Sequence, residues 1–293
     1  MQIISKEVKY TYDKKSSFKS DALNGITLNV NAGDFFGIIG HTGSGKSTFV
    51  QHLNALILLQ EGDLTVGQYD LKELRSKKKN SRAERKKLRK DVGMVFQYPE
   101  YQLFAETVEK DVEFGLKNFS DEKLTDEEIK EKVKSAIESV GLNYEEVREK
   151  SPFDLSGGQK RRVAIAGVLV SSPKVLVMDE PVAGLDPVGK QELMEMLHSL
   201  HGKVVETIVI ISHDMDDIAE NCNRVAVFAG GMVVLLGESR EVFKNADVLL
   251  GMGLDVPIGI RLARALRANG IDIAQDYFDS NDFVDEIAKR IKG

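Results

Sequence analysis

One stretch of this chain constrains its fold more than any other. Phe35-Phe36-Gly37-Ile38-Ile39 is a short continuous apolar run, the composition of a strand buried on both faces. It leads directly into Gly40-His41-Thr42-Gly43-Ser44-Gly45-Lys46-Ser47, which fits the pattern G-x-x-x-x-G-K-[ST], and a helical pattern follows from Lys46 to Leu59. A strand, a glycine-rich turn and a helix in that order point successive main-chain N–H groups and a helix N-terminus at one spot, where an anion such as phosphate is favoured. Lys46 is then placed to reach β- and γ-phosphates, and the Ser47 hydroxyl to ligate Mg²⁺. The plainer reading is a glycine-rich turn with no ligand, which the complete pattern in its strand-and-helix setting disfavours.

A second apolar strand, Val175-Leu176-Val177-Met178, ends in Asp179-Glu180. On its own such an ending is commonplace. Beside a phosphate loop, Asp179 is expected to hold Mg²⁺ directly or through water. Strand alternation puts Glu180 on the opposite side from Asp179, placed to polarise an attacking water as general base.

The rest of the sequence narrows the class. Thr207 to Ile211 is another buried strand, and helical patterns run over Thr125–Val140, Gln159–Val170 and Val188–Leu200. Strands alternating with helices predict an α/β core. The β-rich N-terminus (Ile3-Ile4, Val8 to Tyr12, Leu23 to Val30) and a late hairpin, Arg224 to Gly237 turning at Gly230-Gly231, predict an attached antiparallel sheet. Helices are expected again over Pro257–Ala268 and Asn281–Lys292. With 40 Lys+Arg against 46 Asp+Glu in 293 residues, the whole chain is not a basic nucleic-acid binder. Residues 71–91 depart from that balance, with eleven Lys/Arg against three acids. A membrane headgroup or a nucleic acid would suit them, as would the commoner fate of such a run, a solvated and partly helical insert. One cysteine, Cys222, excludes an intramolecular disulfide and fits a reducing compartment. No apolar run approaches the ~20 residues that cross a bilayer, so the chain is not expected to span one.

Leu155-Ser156-Gly157-Gly158-Gln159 separates the remaining possibilities. With it the chain resembles an ABC-type ATPase, whose signature is LSGGQ. The implied fold is a P-loop NTPase core with an antiparallel β subdomain, a helical signature subdomain and a small C-terminal helical extension. The implied organisation is a nucleotide-binding domain over 1–237, with a helical subdomain about 98–170, and a C-terminal extension over 238–293 serving dimerisation. In that family Ser156, Gly157, Gly158 and Gln159 would grip the γ-phosphate of ATP bound to the opposite subunit. Gln97 matches the glutamine that senses Mg²⁺ and the membrane partner, Gly184-Leu185-Asp186 the loop crossing the dimer interface, and His213 the histidine on the γ-phosphate. Tyr12 matches the aromatic that stacks on adenine, with Tyr10 close by as an alternative.

The match sharpens over Gly40 to Thr48 with Gln51-His52-Leu53-Asn54, over Phe96 to Phe104, and over Leu155 to Gly167. These resemble the ATPases of energy-coupling factor importers, most of all the second of the two related ATPases such importers carry. The chain departs from the pattern at Val182, where Thr is usual. The resemblance implies an ATP hydrolase with ATP and Mg²⁺ as cofactors, peripheral on the cytoplasmic face of the cell membrane. Its partners would be a second ATPase subunit (or itself), a transmembrane coupling subunit and a substrate-binding membrane protein, with no nucleic acid. The rivals are a soluble ABC protein acting on ribosomes or DNA, and a P-loop kinase or adaptor.

Overall fold

A computed structural model describes residues 1–76, 79–119, 124–273, 283–284 and 287–288. In chain order the elements are β1 (Ile3–Tyr12), β2 (Ser20–Val30), β3 (Phe35–Gly40), α1 (Lys46–Leu53), β4 (Glu61–Val66), β5 (Tyr69–Asp70), α2 (Lys79–Asp91) and β6 (Val92–Val95). They continue with α3 (Val108–Phe119), α4 (Asp126–Ser139), α5 (Tyr144–Val147), α6 (Gly157–Leu169), β7 (Val175–Asp179), α7 (Pro187–Leu200), β8 (Thr207–Ile211) and α8 (Met215–Asn221). Last come β9 (Arg224–Ala229), β10 (Met232–Glu238), α9 (Ser239–Phe243), α10 (Ala246–Gly251) and α11 (Ile258–Ala268).

Two sheets organise the chain. One is antiparallel, in the order β2-β1-β4-β5; the other runs β10-β9-β3-β8-β7-β6, with β9 through β6 parallel. The continuous apolar strands are explained by what covers them. Phe36 and Ile38 of β3 face the antiparallel sheet and α1, while Phe35 and Ile39 face the helices on the other side. The same split separates Val175 and Val177 from Leu176 and Met178 in β7. A strand with two buried faces has no place for a polar residue until its end, where Asp179 stands.

The late hairpin corrects an expectation. It does not join the antiparallel sheet: β9 pairs in parallel with β3, and β10 is the antiparallel edge of the main sheet. Val225, Ala226, Val227 and Phe228 are all buried, as an inner strand requires, whereas β10 is mostly half-exposed. The hairpin still touches the smaller sheet at its tip, where Asn24 N donates to the Gly231 carbonyl at 2.7 Å. α1 is also shorter than its periodicity predicts, ending at Leu53 because Ala55 turns into the left-handed region (φ 54°) and closes the helix.

α3, α4 and α6 form the helical region, and α4 begins at Thr125 in a reciprocal cap with Glu128. Beyond the hairpin, Val242, Phe243, Ala246, Leu249 and Ile260 bury against the main core, while Ala263, Ile273 and Phe283 gather separately. The helix expected over Asn281–Lys292 lies outside the described residues except at 283–284 and 287–288, which are helical.

Candidate functional site

The loop between β3 and α1 is shaped by glycines where no other residue fits. Gly40 has φ +146° and a side chain there would collide with the Phe228 carbonyl; Gly45, at φ +103°, caps α1 and abuts the Ala22 carbonyl. The α1 helix therefore starts at Lys46 with its N-terminus facing a cavity of about 630 Å³. Thr42, Gly43, Lys46, Ser47 and Thr48 line it, and so does Tyr12. Lys46 is buried and donates to the Gly40 and His41 carbonyls at 2.5 and 2.9 Å. Burial lowers its pKa, and the charges of Glu180 and Asp179 oppose that shift.

Asp179 and Glu180 enter the same cavity, together with Gln97 and His213. Their meeting contradicts the alternation argument that put them on opposite sides. β7 stops at Asp179, and Glu180 sits in the left-handed region (φ 53°), its N–H donating to the Ile211 carbonyl at 2.9 Å. Such a backbone is costly for a non-glycine residue and is concentrated at functional sites. Glu180 Oε1 is buried without a hydrogen bond, although His213 Nε2 lies 3.0 Å away. Burial pushes the Glu180 carboxyl up to about 7, Asp179 adding to the shift and Lys46 opposing it. Burial lowers the His213 pKa, reinforced by Lys46. At neutral pH the pair is thus driven toward uncharged forms and is no firm ion pair.

The cavity's lining is of two kinds. One kind is a cation, main-chain amides and the oxygen donors Ser47, Gln97 and Asp179, a hard set suited to Mg²⁺ completed by phosphate oxygens. No group of three His, Cys, Asp or Glu side chains among the described residues could hold a metal on its own. The other is the Tyr12 ring, partly exposed beside the loop helix, its hydroxyl 3.2 Å from Thr48 Oγ1 and the ring packed in a T-shaped pair with Tyr10 at 4.8 Å. Tyr10 is itself packed against His52, so Tyr12 is the ring free to meet a flat base. Together these residues fit a nucleoside triphosphate with Mg²⁺.

Other expected residues lie elsewhere. Ser156 caps α6, accepting from Gln159 N while the Gln159 side chain accepts from Ser156 N. Ser156, Gly157 and Gly158 are exposed, with open space beside both glycines, and neither they nor Gln159 line the cavity. Asp186 is the N-cap of α7, bonded to Gly189 N at 2.7 Å. The His41 ring turns away from the cavity and bonds the Met252 carbonyl at 2.8 Å. Ser44 Oγ is buried without a partner beneath the loop.

Two basic residues escaped the sequence reading. Arg161, nearly fully buried, grips both carboxylate oxygens of Glu100 (3.1 and 2.9 Å) and also the Pro181 and Ala183 carbonyls. It ties the signature helix to the segments after Gln97 and after Glu180. Lys190 bridges Asp214 and Asp217 at 2.6 and 2.8 Å and so pins the loop that carries His213.

The sequence profile of the ABC transporter family matches residues 23–183. The chain is 45% identical, over its whole length and 99% of the relative, to the energy-coupling factor transporter ATP-binding protein EcfA2 of Clostridioides difficile. It is 46% identical to the protein of that name in Clostridium perfringens, over 95% of this chain and 94% of the relative. Among solved structures, CbiO1 of Clostridium perfringens, part of the ABC transporter complex CbiONQ, superposes with a TM-score of 0.73 at 36% identity, covering 92% of this chain and 98% of that one. The dimeric ATP-binding cassette MJ0796, bound to ADP and Pi, gives a TM-score of 0.69 at 27% identity over 81% of this chain and 99% of that one.

Proposed function

Since this chain belongs to the ABC transporter family and matches energy-coupling factor ATP-binding proteins from end to end, we propose that it is the ATP-hydrolysing subunit of an energy-coupling factor importer for vitamins or other micronutrients. One observation carries the catalytic reading. The phosphate loop, Asp179, Glu180 and His213 share one cavity, while Ser156, Gly157 and Gly158 of the signature turn are exposed and, with Gln159, outside it. Amides at an exposed helix N-terminus favour an anion, and a second subunit can bring one. ATP then lies between the loop of one subunit and the signature of the other. The dimeric form of MJ0796 with ADP and Pi supports this arrangement.

Within that site Lys46 neutralises the β- and γ-phosphates, and Ser47, Gln97 and Asp179 would hold Mg²⁺, which would supply charge stabilisation for the phosphoryl oxygens. Glu180, when ionised, accepts a proton from the attacking water. His213 orients the γ-phosphate beside it, and Tyr12 stacks on the base. The partner subunit is a related ATPase or a second copy of this chain.

No described helix is long and apolar enough to cross a membrane, so transport needs a separate membrane subunit. The segment after Gln97 is suited to receive it: Tyr98, Tyr101, Phe104 and Phe114 are all exposed, Tyr101 at 83%. Their rings lie in pairs, Tyr98 with Tyr101 and Phe104 with Phe114. Exposed aromatics in a group mark an interaction surface. A membrane protein that captures the nutrient completes the assembly, with this chain peripheral on the cytoplasmic face of the membrane. Purification of the chain from its native membrane, with identification of what accompanies it, tests the reading. A transmembrane subunit and a second ATPase are expected; recovery with ribosomes or DNA instead would replace it with the soluble alternative.

A further inference from the structure

The basic run that the ATPase chemistry leaves unused becomes a defined site in the fold. Arg82, Arg85 and Arg89 recur at helical spacing and share one face of α2. Two of them are held in place by main-chain carbonyls: Arg85 by Leu74 and, at 2.9 Å, Ser76; Arg89 by Asn54 at 3.3 Å and Ala55 at 2.9 Å. Those bonds fix the guanidinium groups without neutralising them. Among the described residues no carboxylate pairs with any of the three arginines, and the helix's own Glu84 is engaged by Lys87 at 2.9 Å. Burial lowers the Arg89 pKa, and the neighbouring Arg85 charge adds to the shift.

These arginines and Lys86 form one side of a pocket of about 510 Å³, and Asn118 and Phe119 at the end of α3 form the other. Its lining, four basic side chains beside an amide and an aromatic ring, suits an anion with an apolar neighbour. Asn118 lies one helical turn beyond Phe114, its amide donating to the Phe114 carbonyl at 2.9 Å. The pocket therefore adjoins the exposed aromatic surface assigned above to the membrane subunit.

We propose that the pocket between α2 and the end of α3 is a binding site for a phosphate-bearing anion, and that the anion is an anionic phospholipid headgroup. Guanidinium groups match phosphate oxygens in paired hydrogen bonds, and fixed ones lose little freedom in making them. The pocket's chemistry stands independently of the transporter reading; its assignment to lipid rests on that reading.

The test uses the full chain. Sedimentation with phosphatidylcholine vesicles, with and without phosphatidylglycerol, reads the lipid source; calorimetric titration with inorganic phosphate reads a soluble one. The variants are Arg82→Glu and the milder Arg82→Gln, since among the described residues Arg85 and Arg89, unlike Arg82, are held by main-chain carbonyls. ATP hydrolysis in solution should match wild type in both and certifies folding. Wild type should sediment with phosphatidylglycerol vesicles, and Arg82→Glu should weaken that binding by roughly tenfold or more, each juxtamembrane charge being worth about 1 kcal/mol. Phosphate binding that is lost in the variants, without vesicle binding, would keep the anion site and overturn the lipid. Equal behaviour of wild type and Arg82→Glu in both assays, or retention on a DNA duplex in place of vesicles, would overturn the site.

Discussion

His213 Nε2 stands 3.0 Å from Oε1 of Glu180, and that oxygen is buried without a hydrogen bond. A general base kept dry beside an imidazole is held near its titration point, with its carboxyl pushed up to about 7. For kcat/KM, which reports the free protein, activity should fall about tenfold per pH unit below roughly 7 and level off above it. Glu180→Gln should keep ATP binding and lose hydrolysis by roughly 10²–10⁴-fold. A pH–rate profile flat from 5.5 to 8 in wild type would remove Glu180 from the role.

The same shift has an opposite effect on stability. A carboxyl whose folded pKa exceeds its unfolded value of 4.5 costs nothing below that pH. The cost builds between about 4.5 and 7, and stays in full above. Glu180→Gln should therefore be more stable than wild type at pH 8, by about 1–3 kcal/mol, and equal to it near pH 4.5. Urea unfolding at the two pH values measures the difference.

Tyr12 and Tyr10 can be told apart. Tyr12→Ala should raise the KM for ATP by about fivefold to roughly 150-fold, since stacking on a base is worth about 1–3 kcal/mol. Tyr10→Ala should act mainly on stability. Fluorescent nucleotide binding in both variants decides, and equal losses would deny Tyr12 its separate role.

The signature turn should act on the opposite site. Gly157 has open space around it, so Gly157→Asp strains nothing within the subunit. Its carboxylate would face an incoming γ-phosphate, and like charges in a partly desolvated site repel strongly. ATP binding by the isolated subunit should survive, while dimerisation on ATP should fail. In a heterodimer carrying one such change, hydrolysis should be lost at the site built on the partner's phosphate loop, not at the one containing this chain's Lys46.

Arg161 offers a structural test. Its removal in Arg161→Ala strands Glu100, which is largely buried, and leaves the Pro181 and Ala183 carbonyls unmatched. Breaking a buried pair in this way costs about 3–5 kcal/mol. Arg161→Lys keeps the charge but cannot reproduce the forked contact, and should recover only part of the loss in chemical denaturation.

What the sequence revealed, and what it hid, follows from the range of the forces involved. β3, its glycine loop and Asp179 were legible because an apolar run, a forbidden side chain and a buried strand end leave local marks. The direction of Glu180 was not, since alternation holds only while the strand lasts, and the chain turns left-handed at that residue. The β9–β10 hairpin was legible as a hairpin, but which sheet it joins is decided by β3, nearly two hundred residues earlier. Arg161 was hidden because Lys160-Arg161-Arg162 reads as surface charge until Glu100 is brought beneath it.

The bond from His41 to the Met252 carbonyl spans 211 positions of sequence. A nucleotide-binding cassette is commonly thought of as a unit that can be cut free of whatever follows it. Here one corner of the phosphate loop is fastened by a turn that comes after the last strand, so the tail is part of the loop's scaffolding. Shortening the chain to end before Met252 would therefore alter the grip on ATP without touching any residue that meets it. Exchanging tails between related subunits would do the same.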